Sequence, residues 1–209
     1  NMLNRFRIHN FLSNFNLFSK TPRKYALVYS FAFLSMGSAM IYPSDVNGVY
    51  AVCHAAEKSF IVQKTEKYLR HTNTVLPIAT VVILRDWKGA GQILGIVGAG
   101  IIASHGPKRL LNDVTVLGTR LGQRPSSKTS KHNMPSGHST LVSAGGWFMA
   151  RRYSMWFLLL CLPVTALTMY ARVMLGAHTV SATIAGSIIG ILVAALFVTR
   201  RQRTNNNRL

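Results

Sequence analysis

The chemistry available to this chain is concentrated in two short stretches. Met134-Pro135-Ser136-Gly137-His138-Ser139 sits in a basic, Gly- and Pro-marked part of an otherwise apolar sequence, and one apolar run later Arg172 precedes His178 by six residues. Imidazole serves as nucleophile and as proton carrier near neutral pH. Guanidinium forks onto phosphate oxygens. Ser136 is placed to cap a helix, and the N–H groups of that helix's first turn face any anion lying before it. That puts His138 beside the anion, while Gly176 lets a ligand approach the second stretch closely. Together these groups suit the holding and cleavage of a phosphate ester.

Further cations surround the first stretch: Lys108, Arg109, Arg120, Arg124, Lys128 and Lys131 all fall between Ser104 and His138. A phosphate-binding role accounts for such density. A solvated basic loop drawn to anionic lipid is the equal alternative for the loop as a whole, whereas Arg124, next to Pro125, reads as functional.

The elements that must bring these groups together are apolar. Nearly half of the 209 residues are hydrophobic and the formal net charge is +19. Such charge raises nucleic acid as a partner, but the basic residues lie between long apolar runs and no nucleic-acid motif is present. A membrane protein facing anionic lipid explains both features. Only five carboxylates exist, Asp45, Glu57, Glu66, Asp86 and Asp113, which excludes most carboxylate mechanisms and any carboxylate-built metal cage. Cys53 and Cys161 fall in a loop and an apolar run, and no pairing is expected between them.

Residues 1–24 carry Ile8, Phe11, Leu12, Phe15 and Phe18 at helical spacing among basic residues, so an interfacial amphipathic helix and an unstructured tail are both open. Tyr25 to Ile41 is the first spanning run. Gly37-Ser38-Ala39 could pass for a cleavage site, but the topology below favours an uncleaved span. Residues 43–71 read as an external segment with a short helix around Ala56 to Leu69. Apolar runs follow at about 72–84, 90–104, 138–150, 154–171 and 179–198. Arg85 and Lys88, then Arg151 and Arg152, then Arg200, Arg201 and Arg203 all fall on the side of the N-terminal cluster in a six-span arrangement, as the positive-inside rule requires. Both candidate stretches fall on the opposite side. Small residues at Gly91, Gly95, Ala99 and Ala103, and at Ala182, Gly186, Gly190 and Ala194, form ridges suited to close helix packing. The expected fold is therefore all-α: an amphipathic segment over 1–24, a polytopic six-transmembrane-helix bundle over 25–200, and a basic cytoplasmic tail over 201–209.

These residues resemble a known family, the membrane branch of the type 2 phosphatidic acid phosphatases within the acid phosphatase/vanadium haloperoxidase superfamily. Arg124-Pro125, Pro135-Ser136-Gly137-His138 and the Arg172 to His178 spacing match its three-part pattern, in order, within residues 70–200. The wording from Arg85-Asp86 through Leu121-Gly122-Gln123-Arg124-Pro125 to Met134 is most similar to the bacterial lipid A 1-phosphatases. The resemblance implies that His178 attacks phosphorus and becomes a transient phosphohistidine. His138 protonates the leaving oxygen and then activates water. Lys108, Arg124 and Arg172, with the Ser136 and Gly137 amides, hold the phosphate oxygens. No metal or other cofactor is implied. The implied partners are a phosphorylated membrane lipid and the bilayer, with no nucleic acid and no obligate protein partner, at the bacterial inner membrane with the site facing the periplasm. Lipid A 1-phosphate is the first substrate expected, then undecaprenyl diphosphate and phosphatidylglycerol phosphate. Phosphotransfer and a non-catalytic anionic-lipid-binding protein are the rivals.

Three positions depart from the pattern. Leu117 stands where the first lysine belongs, and Lys108, nine residues further upstream, is the nearest substitute. Ala171 replaces a serine. Ala182 replaces the aspartate that orients the nucleophilic histidine. Asp86 is on the wrong side to replace it, so Asp113 is the expected orienter, with the Ser181 hydroxyl or a backbone carbonyl as the other choices.

Overall fold

Each apolar run folds into a helix, because backbone groups among apolar side chains must satisfy one another within the segment. The computed structural model describes residues 22–46, 48 and 59–201. The interfacial helix expected over 1–24 and the basic tail expected over 201–209 lie almost wholly outside the described residues. The helices are α1 (Pro22–Ile41), α2 (Phe60–Lys67), α3 (Thr72–Ile83), α4 (Trp87–Leu110), α5 (Gly137–Arg152), α6 (Leu158–Met174) and α7 (Val180–Phe197). Short 3-10 turns, Leu69–His71 and Met155–Phe157, precede α3 and α6. The expected all-α class is the observed one.

A helix begins where a side chain can take up its orphaned N–H groups. Asp86 accepts from the Gly89 N–H at 3.0 Å and starts α4. Ser136 accepts from Ser139 and starts α5, and Thr179 accepts from Ala182 and starts α7.

Helix α5 is the centre of the bundle, packed against α3, α4, α6 and α7, while α1 lies against α7 and α2 covers α6. The core around it contains Val81, Ile96, Ala144, Phe148, Met149, Cys161, Ile189 and Val193. The α7 ridge meets α5 as its composition suggests. A Cβ on Gly186 would lie 2.3 Å from the Ser136 carbonyl oxygen, and one on Gly190 would lie 2.1 Å from that of Thr140. The α4 ridge does so only in part: Gly95 lies under the Phe197 ring, while Gly91 faces open space.

Two helical stretches, Met155–Met174 and Val180–Phe197, are long and apolar enough to cross a membrane unaided, and Ala26–Ile41 is a shorter apolar one. The other members of the expected six spans fall short of that test among the described residues. Helix α3 has only 12 residues, and α4 carries Lys88, Lys108 and Arg109. The outer faces are nonetheless apolar, with Leu27, Phe31, Val82, Leu94, Ile102 and Leu159 all strongly exposed.

One element has no counterpart in the sequence reading. Between α4 and α5 a small antiparallel hairpin pairs β1 (Thr115–Val116) with β2 (Thr119–Arg120). Leu117 and Gly118 turn it with φ of 46° and 80°, the pair of positive values that a tight two-residue hairpin turn demands.

Candidate active site

Four chain segments converge at the end of the bundle where α5 and α7 begin. Lys108 arrives on the last turn of α4, and its Nζ lies 3.6 Å from where a Cβ on Gly137 would stand. The hairpin absorbs the extra residues between Lys108 and Arg124, so the displaced lysine still reaches the helix cap. Arg124 arrives on the following loop, where its Nε donates to the Lys131 carbonyl at 3.0 Å. That loop is docked by Gly176, which has a φ of 60° open to glycine. Its carbonyl accepts from the Ser126 N–H at 3.0 Å, setting Arg124-Pro125 beside the Arg172–His178 turn.

Ser136 is fully buried, its N–H donating to the Ala182 carbonyl at 2.9 Å. This contact leaves no room for a side chain at Gly186 and holds the cap of α5, with Gly137 and His138, against α7. Arg172 is in the last turn of α6 and donates from Nη1 to Glu66 Oε1 at 2.8 Å. Glu66 also accepts from Arg70, its neighbour one turn on. The charges of Lys108, Arg124 and Arg172 act on His178, and those of Arg172, Arg70, Glu66 and Lys108 on His138. The structure thus brings together Lys108, Arg124, Ser136, Gly137, His138, Arg172 and His178.

Asp113 is not among them. Expected to orient His178, it lies instead on the surface with its side chain 76% exposed, 3.6 Å from Arg120. Arg120 is itself occupied with the loop backbone, donating to the Lys128 and Ser130 carbonyls. The Ser181 hydroxyl is engaged with Thr179 and Ser44. The partner of His178 is the Asn133 backbone carbonyl, 2.7 Å from Nδ1.

A carbonyl can only accept, so the neutral ring carries its proton on Nδ1 and keeps the lone pair on Nε2. Asn133 is fixed in turn. Its Nδ2 donates to the Leu121 carbonyl and to Thr179 Oγ1, each at 3.2 Å, and its Oδ1 accepts from the Thr179 N–H at 2.9 Å. Burial first, then the nearby Arg172 charge, hold the His178 imidazole well below the usual histidine value, against the Asn133 hydrogen bond that raises it. Burial, with Arg172 nearby, also lowers Arg124 from its ordinary value. The arrangement is a neutral buried imidazole with a defined lone pair, faced by several cations.

Sequence reasoning did not select Glu66, Arg70 or Asn133. Glu66 stands 106 residues from its partner Arg172, and Asn133 acts through its backbone, so neither leaves a mark in local spacing.

Comparison with known proteins gives the family. The PAP2 superfamily pattern matches residues 90–206. The chain is 42% identical over 133 residues to a lipid A 1-phosphatase of Helicobacter pylori strain J99, covering 64% of this chain and 69% of that one. It is 39% identical over 138 residues to a lipid A 1-phosphatase of Helicobacter pylori strain 26695, covering 66% and 72%. No solved structure matches the chain significantly. With its motifs gathered at one end of a helical bundle and these relatives beside it, the chain is a phosphatase belonging to the PAP2 superfamily.

Proposed function

We propose that the chain is an integral membrane lipid phosphatase that removes the 1-phosphate of lipid A through a phosphohistidine on His178. The observation that carries the mechanism is the Asn133 carbonyl on His178 Nδ1, which leaves Nε2 as the nucleophilic atom. Nε2 forms a bond to phosphorus as the bond to the leaving oxygen breaks, and His138 passes its proton to that oxygen. Water then attacks the phosphohistidine, His138 takes the water proton, and phosphate leaves. Lys108, Arg124 and Arg172 hold the phosphoryl oxygens, with the N–H groups at the start of α5, and stabilise the charge that grows on them.

The lipid substrate follows from what the relatives are named for and from the apolar outer faces of the helices. We place six helices across the inner membrane, α1 and α3 to α7. The two shortest, α3 and α5, rely on their neighbours to complete a span. In this arrangement the site faces the periplasm, and Arg85, Lys88, Arg151 and Arg201 face the cytoplasm. A lipid enters sideways, its phosphate reaching the basic end of the bundle.

Purified full-length protein in detergent, with EDTA present, tests the proposal through phosphate release from lipid A, undecaprenyl diphosphate and phosphatidylglycerol phosphate. Fastest release from lipid A, loss of at least about a thousandfold in His178→Ala, and an acid-labile phosphoenzyme trapped by rapid quenching are expected. Faster turnover of either other lipid reassigns the substrate. Undiminished release in His178→Ala refutes the mechanism.

A further inference from the structure

The geometry points to Glu66 as a leaving-group subsite: it receives a lipid phosphate whose alcohol carries a hydroxyl or amide N–H on the carbon next to the phosphate-bearing one. The inference rests on the phosphatase reading and deepens it. Glu66 lies on α2, outside the 90–206 match to the superfamily. Its Oε1 accepts from Arg172 Nη1 and Arg70 Nη1. Its Oε2 is buried without a hydrogen-bond partner among the described residues, and so is Arg172 Nε. An orphaned buried donor and an orphaned buried acceptor on the two partners of one ion pair ask for two different ligand groups.

Arg172 Nε asks for an acceptor. With Nη1 committed to Glu66, the Nε–Nη2 edge remains as the fork for phosphoryl oxygens. Glu66 Oε2 asks for the opposite, because a carboxylate repels a phosphoryl oxygen and accepts from O–H or N–H. Glu66 and Arg70 act electrostatically on His138, the group proposed to protonate the leaving oxygen, and neither is among the charges that act on His178. We take this as their side of the phosphate. A polyprenyl diphosphate would present a second phosphate to the carboxylate. A glycosyl phosphate, or any phosphate ester with a vicinal donor, presents the group that Oε2 lacks.

The test compares two lipids that differ in one atom: 1-acylglycerol 3-phosphate, which keeps its free hydroxyl at the middle carbon, and its 2-deoxy analogue. Each is assayed with the full-length protein both as substrate and as competitive inhibitor of lipid A hydrolysis, so that a lipid bound but not turned over still reports. Wild type is expected to favour the hydroxyl lipid by at least about tenfold, and Glu66→Ala to reduce that preference to about twofold or less. Glu66→Met, which keeps the volume without the acceptor, reads the same quantity where the alanine variant does not fold. Equal use of the two lipids by wild type, or a preference that survives both variants, overturns the subsite alone. Absence of phosphate release from every lipid overturns the phosphatase reading beneath it.

Discussion

The mechanism proposed for His178 needs one lone pair presented in one direction, and a main-chain oxygen, that of Asn133, lies on Nδ1 where the family resemblance implies a carboxylate. Neutral acceptors orient without adding negative charge, so His178 gains its tautomer while its site stays electropositive. Asn133→Ala removes the side chain that ties this carbonyl to Thr179. We expect kcat to fall about 10- to 100-fold with KM changed little, checked by steady-state kinetics on lipid A. Ala182→Asp does not restore the family arrangement. Ala182 is fully buried and its carbonyl holds Ser136, so an unpaired buried carboxylate there lowers the melting temperature. The depressed His178 value also has a sign: the neutral, reactive form persists as pH falls through 6.5. The acid limb of kcat/KM that belongs to His178 therefore lies below pH 6.5, and a pH–rate profile shows it. Folding stability runs the same way. Below about 6.5 the unfolded chain binds a proton that the folded one refuses, and stability declines on acidification. Lys108, Arg124, His138, Arg172 and His178, which lie at one end of the bundle, could be picked out in the sequence because the chemistry proposed for them belongs to their side chains. The orienter was not, because a backbone carbonyl exists at every residue and only folding shows which one is aimed.

The helices are held in register at the far end by one buried ion pair. Arg152 donates from Nε to Asp86 Oδ2 at 2.6 Å, and Tyr153 donates to the same oxygen at 2.9 Å. Arg152 Nη1 reaches Gln92 and the Thr199 carbonyl, so α4, α5 and the end of α7 meet on one guanidinium. Burial would raise the Asp86 carboxyl, but the hydrogen bonds from Arg152, the Gly89 N–H and Tyr153 hold it down to about 2. Its contribution is thus present above about pH 4 and fades as pH falls towards 2. Asp86→Asn leaves a buried guanidinium unpaired and is expected to cost about 3 kcal/mol, read as a lower melting temperature in detergent. Gly190→Ala tests the other contact between elements. Its Cβ meets the Thr140 carbonyl oxygen, so α5 and α7 must separate, at about 1–3 kcal/mol, with activity falling as the α5 cap shifts. The breaks at Arg85–Lys88 and Arg151–Arg152 were readable in advance because charges at helix ends interrupt an apolar run sharply. The pairing of those breaks through Asp86 was not, since it joins positions 66 residues apart.

At the scale of the molecule, one end gathers the candidate site and the other is a clamp. If the bundle spans the membrane as proposed, a cysteine placed at Lys131 is labelled from the periplasm and one at Lys88 only after the membrane is opened. Equal labelling of both would refute the arrangement, and release of the protein by alkaline carbonate would refute membrane integration. The hairpin at the candidate-site end has a further consequence. Its base is pinned, because Gly122 lies against the Asn112 backbone and its carbonyl accepts from Asn133. Its tip touches nothing among the described residues: Leu117 is 89% exposed and no heavy atom lies within 4 Å of where a Cβ on Gly118 would stand. Chain can be added or removed at that tip without moving Lys108 relative to Arg124. The number of residues between the two cations is therefore free to drift through evolutionary time, and a motif defined by counting across it will overlook proteins whose cleft is unchanged.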